Sequence, residues 1–511
     1  MLSEILQKYL VFEEPTAKSF CFLEFTTRAR FGGQCLGLGL APNFPGEYEE
    51  WWIIDAGVVN ADEIDEEELP EEERKGLNNP QLEAIRTIWH LVKGVIVGHA
   101  HDDHIAELPK LFGAMADLNC DVPIVTAPFT AYRIIKKFIT HNEFVEKNNQ
   151  KENTKKMKKV ELPRIIQDIF VEKDEEQDNT EEKKEVRKVQ KSKPVVLIKK
   201  SDKVLILAAE VPHSTPHSYV LYFEVKTNDA MYNFFLLTDS SLQDSEFTPG
   251  LTWNYLTFLN DHSPVTAAAY DSLYAGRNGY TRKESVTRAA FRFCLENSPG
   301  NLVETHFATN VYRTRMVMEE AQLADRWHWL VGRTMEDTAV IGENLGMLPE
   351  KWTPKEWTNP AVISVTGNQA EQFAAATLAS FKEKSELVFA PNTSFAHLAE
   401  IIPGNEKKVV KMLLRIAFIC NEGTVFVSPR TFETIKKIHG ELGMPNNIVP
   451  VPNLHVSGHM SEGDQKIVLS LCKAQYVLPI HYPNTPEKIE AIKNFLNVNN
   501  FNCPIFNNTA A

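Results

Sequence analysis

Between a short apolar run and an amphipathic stretch, the segment GVIVGHAHDDHIAELPKLF sets His99, His101, Asp103 and His104 in an H-x-H-x-D-H arrangement. On a strand-to-helix turn the backbone folds such side chains to one side. There they offer the mixed nitrogen and oxygen ligands that borderline divalent cations take. The chain has 15 histidines in 511 residues, so a cluster of this form is rare by chance, and its strand-loop-helix setting makes it rarer. A fold that uses it must bring further ligands to this one turn from distant strand ends.

Candidates for those ligands stand where β-rich runs stop. Asp55 ends EWWIID (50–55), His213 follows VLILAAEVP, Asp239 ends NFFLLTD (233–239), and His481 follows YVLPI. Each alone reads as an ordinary polar residue at the end of a strand, and His217 competes with His213 for the same place. FCFLEF (20–25), GVIVGH (94–99), VLILAAEV (204–211) and SYVLYFEV (218–225) complete a strand-rich first half. After about residue 240 the rhythm changes to strand-helix alternation. ESVTRAAFRFCL, LVETHF, VYRTRMVMEEAQLA, WHWLVG, VISVTG, ELVFAP, KKVVKMLLRIAFI and TVFVS predict an α/β unit with a mostly parallel sheet.

Two segments interrupt the globular pattern. Residues 61–75 carry nine acids and two bases, a solvated loop or short exposed helix. Residues 143–193 hold 14 basic and 13 acidic side chains with few aromatics, the composition of a flexible charged insertion, with LPRIIQDIF (162–170) as a short helix inside it.

The chain is 43% hydrophobic, which excludes disorder as its main state, and its net charge of -14 excludes a protein that holds nucleic acid with its whole surface. A local basic cleft remains compatible with that balance. Seven cysteines with no C-x-x-C spacing indicate neither a disulfide framework nor a zinc ribbon. The acidic start and the absence of a long apolar run predict a cytoplasmic protein with no membrane segment.

The order Asp, HxHxDH, His, Asp, His resembles the metallo-β-lactamase superfamily, whose αββα sandwich gathers ligands from loops at one edge. Between Asp239 and His481 lies an insertion of about two hundred residues, and within it and at its end the sequence is similar to the β-CASP nucleases, most of all to ribonuclease J. The matching stretches are YDSLYAGRNGYTRKESV, THFATNVYRTR, VGRTM, VTGNQAEQ, IIPGNE and LHVSGHMSEGDQKIVLSLCKAQYVLPIHYP, the last placing His459 22 positions before His481. The resemblance implies an α/β fold: a metallo-β-lactamase domain formed by 1–245 and 451–511, with a β-CASP domain inserted over 246–450.

The same resemblance implies two divalent metal ions. His99, His101 and His213 would hold one, Asp103, His104 and His481 the other, with Asp239 bridging and Asp55 orienting ligands or water from behind. His213 is preferred over His217 because His213-Ser214-Thr215-Pro216 matches the superfamily's form. Zn2+ suits the mixed donor set first, and Mn2+ is compatible with its carboxylates. Asp271 corresponds to the family's first β-CASP acid and His459 to its second motif. Asp55, Asp103, Asp271 and His459 are thus the expected catalytic group, while Thr309, Asn310, His455, Ser457 and Gly458 are the expected phosphate contacts. For Arg313 a solvated helix face is an equal reading.

A histidine at position 481 matches the RNA-acting branch, so the implied function is a dimetal ribonuclease, exonuclease from the 5′ end, endonuclease, or both. It acts on RNA in processing or decay, and a basic groove between the domains should receive the substrate. A small-ester or thioester hydrolase leaves the insertion and HVSGH unexplained, and a non-catalytic RNA-binding scaffold leaves the full ligand set unexplained. Four departures from the family stand out. QAE replaces QGE, and FAAATLASF replaces the basic stretch that follows it, which is expected to weaken or reroute the RNA path. Tyr482-Pro483 replaces Gly-Glu after the last ligand. Thirty residues follow His481 where the family continues into a further domain, so oligomerisation through that domain is in question.

Overall fold

Neighbouring tryptophans show how the first layer forms. Trp51 and Trp52 point to opposite faces of one strand, as the period of two requires, so Trp51 packs against helices while Trp52 enters the space between two sheets. The computed structural model describes residues 2–26, 33–57, 81–151, 156–172, 192–349, 360–381, 389–402, 404–483 and 485–507. The acidic segment 61–75 lies outside them, as do 152–155 and 173–191 of the charged insertion.

The first sheet runs in the order β1 (Leu10–Glu13), β2 (Phe20–Glu24), β3 (Leu36–Leu40), β4 (Glu50–Ile54), β5 (Val92–Val97), β6 (Ile124–Thr126), β7 (Ile165–Ile166). It is antiparallel up to β4 and parallel from there. The second contains β8 (Val195–Lys200), β9 (Val204–Val211), β10 (Ser218–Lys226), β11 (Met231–Leu237) and β12 (Ala267–Asp271). Phe22, Leu38, Trp52 and Ile96 of the first sheet meet Ile206, Leu221, Phe234 and Ala267 of the second in an apolar core. The outer face of the first sheet is closed by helices Leu82–Ile88, Leu108–Met115 and Pro128–Gln150, and that of the second by Leu251–Asp261, Glu462–Cys472 and Pro486–Val498. This is the expected αββα sandwich.

A third sheet is wholly parallel and built from β13 (Leu302–Thr305), β14 (Trp327–Val331), β15 (Ala361–Val365), β16 (Ser394–His397), β17 (Val425–Val427) and β18 (Ile448–Pro450), in the order β14-β15-β13-β16-β17-β18. Apolar clusters cover both its faces, as parallel sheets require. The chain then returns as β19 (Tyr476–Ile480), which pairs in parallel with β12. A small apolar cluster docks the insert on the body: Ala100 and Phe129 against Val311, Ala339, Ile341 and Leu348.

Three expectations are corrected. The helix Leu251–Asp261 and strand β12 belong to the sandwich, so the insert does not start at 246; its first strand is β13. Within 143–193, residues 143–150 continue the long helix, and LPRIIQDIF forms a two-residue strand followed by a single 3-10 turn, Asp168–Phe170, instead of one short helix. Its Ile165–Ile166 pairs with β6, and Phe170 is buried between the sheets. Of ELVFAP, the described residues from Phe389 on form no strand, which comes three residues after Pro391 as β16.

Ala370 carries a backbone cost. Its φ is +55° where QGE would place glycine, a left-handed conformation costing an L-residue roughly 1–2 kcal/mol. Ala370→Gly should therefore stabilise the protein by about 1 kcal/mol, read as a higher urea midpoint at unchanged slope.

Candidate metal centre and active site

All the candidate ligands leave the sandwich at one edge. Asp55 follows β4, the H-x-H-x-D-H turn follows β5, His213 follows β9, Asp239 follows β11, Asp271 closes β12 and His481 follows β19. The turn is held by backbone hydrogen bonds to the strap after β4 and to the segment before β3. Ala56 N donates to His104 O at 2.8 Å, Glu107 N to Ala56 O at 2.9 Å, and Gln34 N to Asp103 O at 2.7 Å. Gly57 is packed so closely here that a Cβ would lie 1.5 Å from the Asp103 carbonyl oxygen. Gln34 and Gly57 were not singled out from the sequence. Asp55-Ala56-Gly57 carried the signal, a small pair after a strand-end acid.

Three overlapping donor groups form: His99, His101, His213 and Asp239; Asp103, His104, Asp239 and His481; and Asp239, Asp271, His459 and His481. Within each group the donor atoms lie within 4.8 Å of one another. His99 Nε2 faces His101 Nδ1 at 3.1 Å, and His213 Nε2 faces the same Nδ1 at 3.3 Å. Burial holds these imidazoles neutral, pushing His101 down to about 4 and His213 to about 3. Converging neutral imidazole nitrogens repel through their lone pairs unless something electrophilic lies between them. His104 Nε2 is fully buried and makes no hydrogen bond, although Asp239 Oδ2 stands 3.4 Å away. Asp239 also approaches His99 at 3.5 Å and His481 at 3.0 Å. This donor set fits divalent metal binding.

Partners behind the donors fix their orientation, as metal sites require. Asp55, wholly buried, accepts from His104 Nδ1 at 2.7 Å, from Gln34 Nε2 at 3.1 Å and from the Gly98 amide at 3.1 Å. The bond to Nδ1 turns His104 Nε2 toward the centre. The Gly458 carbonyl does the same for His213, accepting from Nδ1 at 2.9 Å. Gly458 is thus engaged through its carbonyl as well as being a candidate amide donor. Asp55 and His481 both have positive φ, 61° and 54°, and such strain in non-glycine residues gathers at functional sites.

His459 stands over the centre. Its Nδ1 donates to Asp271 Oδ2 at 2.7 Å, and Asp271 Oδ1 lies 3.3 Å from His481 Nδ1. The ring is boxed by His481, nearly parallel at 5.6 Å, by His213 at 5.4 Å and by the edge of Tyr274 at 5.8 Å. Burial opposes its charge, but the Asp271 and Asp239 carboxylates raise its pKa above the ordinary value. Its Nε2 is left 3.9 Å from Asp239 Oδ2.

Of the expected phosphate contacts, Asn310, Ser457 and Gly458 line one small cavity together with His213, Ser214 and Arg282. Ser457 Oγ accepts from the His459 amide at 3.0 Å, and Asn310 caps the helix Val311–Leu323 by accepting from the Arg313 amide. Thr309 is buried immediately before that cap. His455 Nδ1 donates to the Leu398 carbonyl at 3.3 Å. The solvated reading of Arg313 is corrected. The residue is buried, pairs with Glu284 at 2.6 Å and 2.8 Å and donates to Leu398 O, so it ties the start of the helix Ser285–Glu296 to the end of β16. His217 is buried outside the donor groups.

Residues 299–416 match the family model "Ribonuclease J, beta-CASP domain". The chain is 25% identical over 457 residues to "Ribonuclease J 1" of Streptococcus pyogenes, covering 87% of this chain and 67% of the relative. It is 22% identical over 439 residues to "Ribonuclease J" of Helicobacter pylori, covering 84% of this chain and 52% of the relative. The chain thus spans between about half and two thirds of these relatives. A solved protein of unknown function from Enterococcus faecalis is similar at a TM-score of 0.49 and 15% identity, over 91% of this chain and 95% of that one. Among the described residues no helix is long and apolar enough to cross a membrane. The chain is thus similar to ribonuclease J over most of its length, with the β-CASP domain of that family matched at 299–416.

Proposed function

We propose that the protein is a metal-dependent ribonuclease that hydrolyses RNA phosphodiester bonds. The observation that carries this reading is a complete donor set with the Asp271–His459 pair poised over it. His99, His101 and His213 would hold one ion, and Asp103, His104 and His481 the second, with Asp239 shared. Zn2+ suits the imidazole-rich set first, and Mn2+ is the alternative. Bound there, the ions supply charge neutralisation of the phosphoryl oxygens and a more acidic water.

The chain's own residues do the rest. Asp55 and Gly458 hold His104 and His213 in their tautomers. Asp271 fixes the His459 proton at Nδ1 and stabilises the imidazolium. A second proton at Nε2 then faces the centre, where it can pass to the leaving oxygen of the scissile bond. Asn310, Ser457 and the Gly458 amide would receive a phosphate in the cavity they line beside His213. The cytoplasm, where RNA is processed and decays, is the expected compartment.

The test is incubation of metal-loaded protein with end-labelled RNA and matched DNA, comparing the wild type with Asp103→Ala and His459→Ala. RNA should be cleaved in preference to DNA, and both variants should be strongly impaired. Equal cleavage by wild type and Asp103→Ala, or hydrolysis of a generic thioester but not of RNA, would sink the proposal. The pattern of labelled products separates exonuclease from endonuclease action.

A further inference from the structure

We propose that Arg277 and Arg430 form a binding site for a backbone phosphate of the RNA next to the scissile position, an inference that rests on the ribonuclease reading above. Both guanidinium groups share one carboxylate: Glu400 Oε2 lies 2.9 Å from Arg430 Nη1 and 3.8 Å from Arg277 Nη1. One negative charge cannot neutralise two positive ones, and the side chains are 41% and 56% exposed. A surplus positive charge therefore faces solvent on a chain whose net charge is -14.

The surplus lies beside the chemistry. The Arg277 guanidinium covers the Tyr274 ring at 4.8 Å, and the edge of that ring abuts His459 at 5.8 Å. The arginine thus stands one aromatic ring from the group assigned to move the proton. Stacked on that ring, its planar fork loses little freedom when a phosphate binds. Arg430 lies in the first turn of the helix Pro429–His439, whose N-terminus Ser428 caps, so the helix dipole adds to the same positive field.

The site also answers the missing basic stretch. After VTGNQAEQ this chain runs FAAATLASF, residues 373–381, with no lysine or arginine. Gln369 of that motif donates from Nε2 to the Glu400 carbonyl at 2.9 Å and accepts at Oε1 from the Ile402 amide at 2.8 Å. The loop without charge is thereby joined to the residue on which both arginines converge. The positive charge is supplied next to the motif rather than within it. Contacts of this kind position a strand without reading its sequence.

The experiment is binding of a cleavage-resistant 2′-O-methyl single-stranded RNA to the metal-loaded full chain across a salt series, together with steady-state cleavage of the unmodified RNA. Arg277→Ala and Arg430→Ala should each weaken binding several-fold and reduce the slope of log K against log salt by about 0.7. KM should rise with little change in kcat. Glu400→Gln, which frees both guanidinium groups, should tighten binding. Unchanged affinity and slope in both alanine variants would overturn the site while leaving the ribonuclease reading intact. A fall in kcat with unchanged slope would overturn it too, by showing that Arg277 acts only through Tyr274 and His459. Failure of the wild type to bind RNA at all would sink both readings.

Discussion

Asp239→Asn is expected to lower RNA cleavage by about 10³-fold or more, the largest loss for any single substitution at the centre. Asp239 is the one residue common to all three donor groups, so its loss disturbs both proposed ion sites at once. Metal ions contribute several kcal/mol of transition-state charge stabilisation, and each 1.36 kcal/mol is a factor of ten in rate. Asparagine keeps the size and shape of the side chain but removes its charge. It also cannot offer two equivalent oxygens to His99, His104 and His481, which the carboxylate approaches at 3.5, 3.4 and 3.0 Å. Metal content by elemental analysis should fall below that of the wild type. A ligand that binds only the folded state raises its melting temperature. The metal-free variant should therefore melt close to the metal-free wild type, while the gain on adding metal shrinks. Lower melting in both forms would point to a folding defect, and full metal content with full activity would show that Asp239 is not shared.

Much of the sandwich was legible because its strands are strongly patterned. The run 204–211 coincides with β9, and EWWIID ends in β4 with Asp55 just beyond it. The missed strand β3, LGLGL, is instructive. A Cβ on its Gly39 would come within 2.8 Å of the Trp51 ring, so small residues are needed where a bulky neighbour fills the space, and β propensity disappears from the sequence. The position of the insert was misjudged for a different reason. Ala267–Asp271 lies far along the chain from β11 but pairs with it in parallel, and a crossover partner leaves no local mark. At the centre, the side chains that converge were visible as residue types at strand ends, since only a few residue types can ligate a metal. What orients them was not: the Gly458 carbonyl behind His213 and the Gln34 amide on Asp103 are backbone contacts, which any residue type could make. The burial of Arg313 was invisible likewise, because it depends on Glu284 and Leu398, one on each side of it in the chain.

His459→Ala is expected to lower kcat by about 10²–10⁴-fold, the range by which a positioned general acid or base contributes, while leaving KM and metal content near those of the wild type. The separation follows from the geometry. His459 Nδ1 is occupied by Asp271 at 2.7 Å, and the ring is held by three neighbours, so its Nε2 is aimed at the centre without being needed to build either proposed ion site. A substrate whose leaving oxygen is replaced by sulfur distinguishes proton donation from simple packing. A thiolate leaves without being protonated, so an RNA with a 3′-bridging sulfur should be cleaved by His459→Ala nearly as fast as by the wild type. Asp271→Asn should show a smaller defect with the same rescue, because it removes the charge that stabilises the imidazolium but leaves the ring in place. If the alanine variant is equally slow on the oxygen and sulfur substrates, His459 does not donate the proton, and its part is confined to holding the phosphate.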